Sequence, residues 1–269
     1  MAVRRKLASV SVVLLPLITG CASTPQSPIV DAAWKGDATL VASLLSKGES
    51  PDSRGDHGRT ALMNASGAPG TGVDIGSSGQ MRATQVPGHV DLPTIKLLLE
   101  HGADSNLMDS AGQTALFFAA YVGSAPAVST LLAAGADPNA GNAEHSSPLL
   151  AAASNDHLDV VKLLLAARAD PKATDTNGQT SLMSAAYGGN VAILHELLQG
   201  GAVIDATDAG GNTALSNAAY EGKLDAAKLL IEAGASPDIK SAKGKTALAI
   251  AVDRGHAAVA DYLRSKGAH

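Results

Sequence analysis

The sequence predicts an all-α repeat solenoid: about seven stacked helix–turn–helix units carrying short β-hairpin fingers. Three observations predict it. A Thr or Ser recurs at Ser27, Thr60, Thr114, Ser147, Thr180, Thr213 and Thr246, with every interval 33 residues except 60 to 114, which is 54. Small-residue pairs keep one phase behind that mark, as in Ala32-Ala33, Ala119-Ala120, Ala152-Ala153, Ala185-Ala186 and Ala218-Ala219. Glycines recur in two further phases, at Gly36, Gly123, Gly189, Gly222 and Gly255, and at Gly48, Gly135, Gly201, Gly234 and Gly267. Aromatics are only 3% of the 269 residues, so the core must be aliphatic, which argues against a β-sandwich.

Each element of the unit has a physical reason. Small side chains in the first helix permit close packing on the neighbouring unit. The mid-unit glycine ends that helix by supplying a left-handed backbone. Leu44-Leu45, Leu131-Leu132, Leu164-Leu165, Leu197-Leu198 and Leu230-Ile231 give the second helix a buried stripe. Stretches such as Asp109-Ser110-Ala111-Gly112, Asp175-Thr176-Asn177-Gly178 and Asp208-Ala209-Gly210-Gly211 place Asp and Gly where a hairpin turn needs them. No unit can bury its own apolar face, so stability must come from stacking.

The pattern from residue 27 to 269 resembles the ankyrin repeat. It departs from the family in opening on Thr-Ala-Leu (at Thr60, Thr114, Thr213 and Thr246) where the family has Thr-Pro-Leu-His. The unit Ser147–Lys172 has His145, Asp156 and Arg168 in glycine phases and is expected to be the least regular. The first unit, which opens Ser27-Pro28-Ile29-Val30, should act as the N-terminal cap. The last, with Arg264 in an aliphatic phase, should act as a polar C-terminal cap. The one long interval locates an insertion at about residues 67–88, between the helices of the second unit. It is rich in Gly and Ser and lacks a helical period, so a flexible loop is expected there.

Residues 1–20 read as a secretory signal. Arg4, Arg5 and Lys6 precede an apolar run from Leu7 to Leu17, which is too short to span a bilayer. Leu17-Ile18-Thr19-Gly20-Cys21 resembles the lipobox of bacterial lipoproteins. That resemblance implies cleavage after Gly20 and lipidation of Cys21, the only cysteine. It is expected to hold the protein in the bacterial envelope, on the outer membrane facing the periplasm. Acyl chains contribute about 0.8 kcal/mol per buried CH₂, so two or three of them anchor firmly. Residues 21–26 are a short linker reaching about 20 Å.

Composition removes several function classes. The net charge is -5, and without the three signal cations 17 basic residues face 25 acidic ones, a net of -8. That gives no electrostatic case for nucleic acid. A single Cys excludes an intramolecular disulfide and a Cys-based zinc site. The eight His show no ligand spacing, and His157 and His256, one residue after the mid-unit glycine phase, are expected to be structural. Gly67-Ala68-Pro69-Gly70-Thr71-Gly72 opens like a phosphate-binding loop, but Val73 and Asp74 stand where Lys and Ser/Thr would be needed. Gly76-Ser77-Ser78-Gly79-Gln80 misses a nucleophile elbow at Gln80. No cofactor, metal or catalytic set is expected.

One constellation points to a binding surface. Trp34, Tyr121, Tyr187 and Tyr220 all stand seven residues after the mark: the only Trp and three of the four Tyr. The ankyrin resemblance implies that this phase ends the first helix and faces the concave surface, beside finger residues His57, Arg59, Gln113, Glu144, Gln179, Asn212, Lys243 and Lys245. Stiff amphipathic rings suit protein-binding hot spots. Ser154 interrupts the row. The expected function is a monomeric, membrane-anchored, non-enzymatic module that binds another protein. The alternatives are an envelope hydrolase acting through Asp74 or Ser78 of the insertion, and a purely structural spacer.

Overall fold

The computed structural model describes residues 27–75, 81–86 and 88–268. Residues 1–26 lie outside them, and with them the signal, Gly20, Cys21 and the linker.

Among the described residues seven helix pairs follow one another. They are α1 (Pro28–Trp34) with α2 (Ala38–Ser46), α3 (Ala61–Ala65) with α4 (Leu92–Glu100), and α5 (Ala115–Val122) with α6 (Ala125–Ala133). Next come α7 (Pro148–Ser154) with α8 (Leu158–Ala166), and α9 (Ser181–Gly188) with α10 (Val191–Gln199). The last are α11 (Ala214–Tyr220) with α12 (Leu224–Glu232), and α13 (Ala247–Arg254) with α14 (Ala257–Ser265). Odd-numbered helices pack on odd neighbours and even on even, so two helical layers run the length of the stack.

The recurring Thr/Ser has a task that the spacing alone does not reveal. It is the N-cap of the first helix, its hydroxyl accepting from the backbone three residues on: Thr114 from Phe117, Ser147 from Leu150, Thr180 from Met183 and Thr213 from Ser216. Each such cap contributes about 1 kcal/mol. Ser27 is different: its hydroxyl donates instead to Glu49, 2.8 Å away. Behind the cap the small pairs are buried between layers, with Ala119, Ala120, Ala185, Ala186, Ala218 and Ala219 fully covered. In the second helices the covered stripe is spaced i, i+3, as in Val128 and Leu131, Val161 and Leu164, Leu194 and Leu197.

The fingers are built by one repeated device. Asp109 Oδ1 accepts from the amides of Ala111 and Gln113, Asp175 from Asn177 and Gln179, and Asp208 from Gly210 and Asn212. Asn142 does the same for Glu144 and Ser146. Consecutive fingers are then stitched by single main-chain bonds: Ser110 to His57, Ala143 to Ala111, Thr176 to Glu144, Ala209 to Asn177 and Ala242 to Gly210, all 2.7–2.9 Å.

Two expectations need correction. The unit Ser147–Lys172 is as regular as its neighbours. His145, Asp156 and Arg168 adopt the left-handed backbone that glycine would take, at φ 57°, 62° and 66°. Stacking on both sides dictates the path, and the side chains tolerate it at about 1 kcal/mol or more each. The insertion is not an irregular loop: β1 (Gly70–Ile75) and β2 (Met81–Val86) form an antiparallel ribbon, with Gly70 opposite Val86 and Ile75 opposite Met81. Val73 and Ile75 in one strand and Met81 and Ala83 in the other alternate with other residues, the strand period that a search for helices passes over. Gly76–Gln80 lie outside the described residues.

Candidate protein-binding face

The finger residue before each N-cap and the aromatic-phase residue eight positions on lie along one face of the first helix. The ion pair between Lys245 and Asp253, which stand in those two phases of the last unit, demonstrates it. This finger face carries nearly every residue the sequence singles out.

The aromatic row is only partly continuous. Tyr187 and Tyr220 stack, with ring centroids 6.4 Å apart and planes 25° from parallel. Arg254, from the next unit, sets its guanidinium carbon 3.5 Å from the centre of the Tyr220 ring. Tyr187 is half-buried and hydrogen-bonds Glu221, and desolvation, followed by that bond, pushes its hydroxyl above the usual phenol range. Tyr121 and Tyr220 are 39% and 41% exposed, enough to offer their rings to a partner. Trp34 is half-buried. Ser154 separates Tyr121 from the stacked pair in phase, and Gly67 separates it from Trp34.

Histidines support the row from behind. His157 donates from Nε2 to the Tyr121 carbonyl and His256 donates likewise to the Tyr220 carbonyl, both at 3.0 Å. Those carbonyls lie in the last turn of their helices, where no intrahelical donor remains. The structural role expected for these two histidines is what the geometry shows.

Several finger residues are already engaged within the chain. Arg59 has only 19% of its side chain exposed; it faces Asp109 at 3.6 Å, lies 5.4 Å from the Phe118 ring centre and donates to the Pro69 carbonyl. That last bond ties the base of the insertion to the first finger. Gln179 and Asn212 both direct their amides at the Asp208 carboxylate. These three hold the fingers in place, whereas His57, Lys243 and Lys245 are exposed and Gln113 and Glu144 are half-buried.

A scan against protein-family models matches ankyrin repeats (3 copies) over residues 80–175, 149–241 and 182–269. The chain belongs to the ankyrin repeat family. The matched stretch covers more than half of it, and α1 to α3, ahead of residue 80, continue the ankyrin stack in the same layers. A search of the curated proteins finds no match. Ankyrin repeats support a role in protein–protein interaction.

Sequence reasoning missed Arg254 and Glu221, and it read Asp109 as a turn residue without its contact to Arg59. Arg254 stands one residue beyond the aromatic phase, and Asp253 occupies the phase itself, so in sequence the row ends at Tyr220. Only the packing shows that the next unit continues it with a cation.

Proposed function

We propose that this ankyrin stack is an envelope-anchored lipoprotein that binds another protein through its finger face, which the family resemblance makes concave. The observation that carries the reading is the Tyr187–Tyr220–Arg254 stack, with two rings of the row about two-fifths exposed. Ordered rings and a pre-placed guanidinium lose little conformational entropy on binding. Anchoring rests on the basic, apolar and lipobox residues ahead of Cys21. Binding, not catalysis, is the reading because Arg59, Gln179 and Asn212 are held by structural bonds and the described finger-face residues bring no nucleophile and base together.

The test is a crosslinked pull-down from intact envelopes, comparing wild type with a variant in which Trp34, Tyr121, Tyr187 and Tyr220 are all Ala. Circular dichroism must show that the variant folds. A protein recovered by wild type and lost by the variant supports the reading. Equal recovery by both overturns it.

A further inference from the structure

We infer that the C-terminal end of the finger face receives an extended acidic segment of the partner protein. The inference rests on the proposed binding function and adds the partner's chemistry. Its ground is a local reversal of charge in an acidic chain. Earlier fingers carry a carboxylate: Asp56 in the first, then Asp109, Glu144, Asp175 and Asp208. In the last finger the anchoring Asp is replaced by Ser241, whose hydroxyl still accepts from the Lys245 amide at 3.4 Å. The finger then presents Lys240, Lys243 and Lys245, all exposed.

The neighbouring acids are Asp238, Asp253 and Glu221, each with a partner within the chain. Asp253 pairs with Lys245, and Glu221 hydrogen-bonds Tyr187. Counted against those three carboxylates, Lys240, Lys243, Lys245 and the Arg254 stacked on Tyr220 leave this end of the face with an excess of one positive charge, in a chain whose net charge is -5. Complementary charge at such an edge accelerates and orients docking of an anionic segment.

The backbone adds a reason for an extended one. Each finger's carbonyl accepts from the amide of the finger after it: His57, Ala111, Glu144, Asn177 and Gly210 in turn. The next acceptor in that series is the carbonyl of Lys243, which takes no main-chain amide among the described residues. A strand laid against the last finger would donate an amide there while setting its carboxylates among the lysines. An anionic lipid surface fits less well, because this finger is at the opposite end of the stack from the unit nearest Cys21.

The experiment uses the purified full-length protein in neutral detergent and a fluorescein-labelled deca-glutamate peptide, followed by anisotropy. Deca-glutamine and vesicles of anionic phosphatidylglycerol serve as comparisons. Wild type is expected to bind deca-glutamate, not deca-glutamine, with affinity falling steeply as salt rises. Replacing Lys240, Lys243 and Lys245 by Gln should weaken it about tenfold, and K243E alone should do so measurably, while K243R retains binding. The substituted side chains are exposed, and circular dichroism confirms folding.

No binding of deca-glutamate, or equal binding by the triple Gln variant, overturns the inference. So does vesicle binding that the triple variant abolishes while deca-glutamate stays free. The failures are separable: a partner lost with the four-aromatic variant but kept by the triple Gln variant leaves the binding function standing without its acidic segment.

Discussion

Tyr220 lies between the ring of Tyr187, 6.4 Å away in the unit before it, and the guanidinium of Arg254, 3.5 Å away in the unit after it. Three successive units thus supply one laminated strip on the finger face. The two rings meet because the repeat places the same phase at the same height in each unit, and Arg254, one residue beyond that phase, reaches back over the second ring. A stacked aromatic pair with one ring exposed and a cation on it is a modest contributor to folding and a strong candidate for recognition, and the two roles can be separated.

Tyr220→Ala removes both stacking contacts while leaving the helix intact. Unfolding stability should fall by about 1 kcal/mol, since the ring is 41% exposed. Partner affinity should fall by about 2 kcal/mol, as expected of a hot spot. Urea titration and a binding isotherm on the same preparation check the difference. A larger loss of stability than of affinity would make the ring a packing residue.

Tyr187 adds a pH signature. Burial and the bond to Glu221 raise its folded-state value above the unfolded phenol value of 10.0. The folded chain therefore holds that proton more tightly. The associated stability is complete below the unfolded value and is lost as pH rises through the folded one. Urea midpoints should show this alkaline decline in wild type, with a smaller decline in Tyr187→Phe. Absorbance titration should show one tyrosine ionising later than the rest in wild type.

Gly123 and Gly135 separate steric from conformational cost. Both have positive φ, at 80° and 86°. A Cβ at Gly123 would sit 2.3 Å from His157 Nδ1, whereas one at Gly135 would meet nothing within 4 Å. Gly135→Ala should cost about 1 kcal/mol from backbone strain alone. Gly123→Ala should cost about 3 kcal/mol, because the imidazole must leave the Tyr121 carbonyl as well. Differential scanning calorimetry of the two variants checks the order.

Arg168→Gly should stabilise the protein by about 1 kcal/mol. The arginine is exposed and holds a left-handed φ of 66° that glycine adopts without penalty. The gain is reduced by the freedom glycine adds to the unfolded chain. A rise in the urea midpoint is the expected result.

Much of this was legible in the chain because solenoids turn sequence period directly into stacking. The marks at Thr114, Ser147, Thr180 and Thr213 fall on the N-caps, the Ala pairs on the interlayer contacts, and Gly123, Gly189 and Gly255 on left-handed helix ends. What period cannot show is an interaction that steps between phases. Arg254 on Tyr220 and Arg59 beside Asp109 join different phases of different units, and each depends on where a long side chain reaches. Arg59, Gln179 and Asn212 are legible as finger residues but not as partners of Asp109 and Asp208. The insertion failed for a related reason: two six-residue strands leave a weak alternating signal amid glycines. The irregularity expected of His145, Asp156 and Arg168 failed because neighbouring units override local preference.

The most direct test of the account is site-specific photocrosslinking in intact envelopes, with one probe replacing Tyr220 on the finger face and another replacing Glu232 on the outer helical layer. The account predicts a discrete crosslinked partner from position 220 and none from position 232. A partner captured only from position 232 would place recognition on the opposite side of the stack and contradict it.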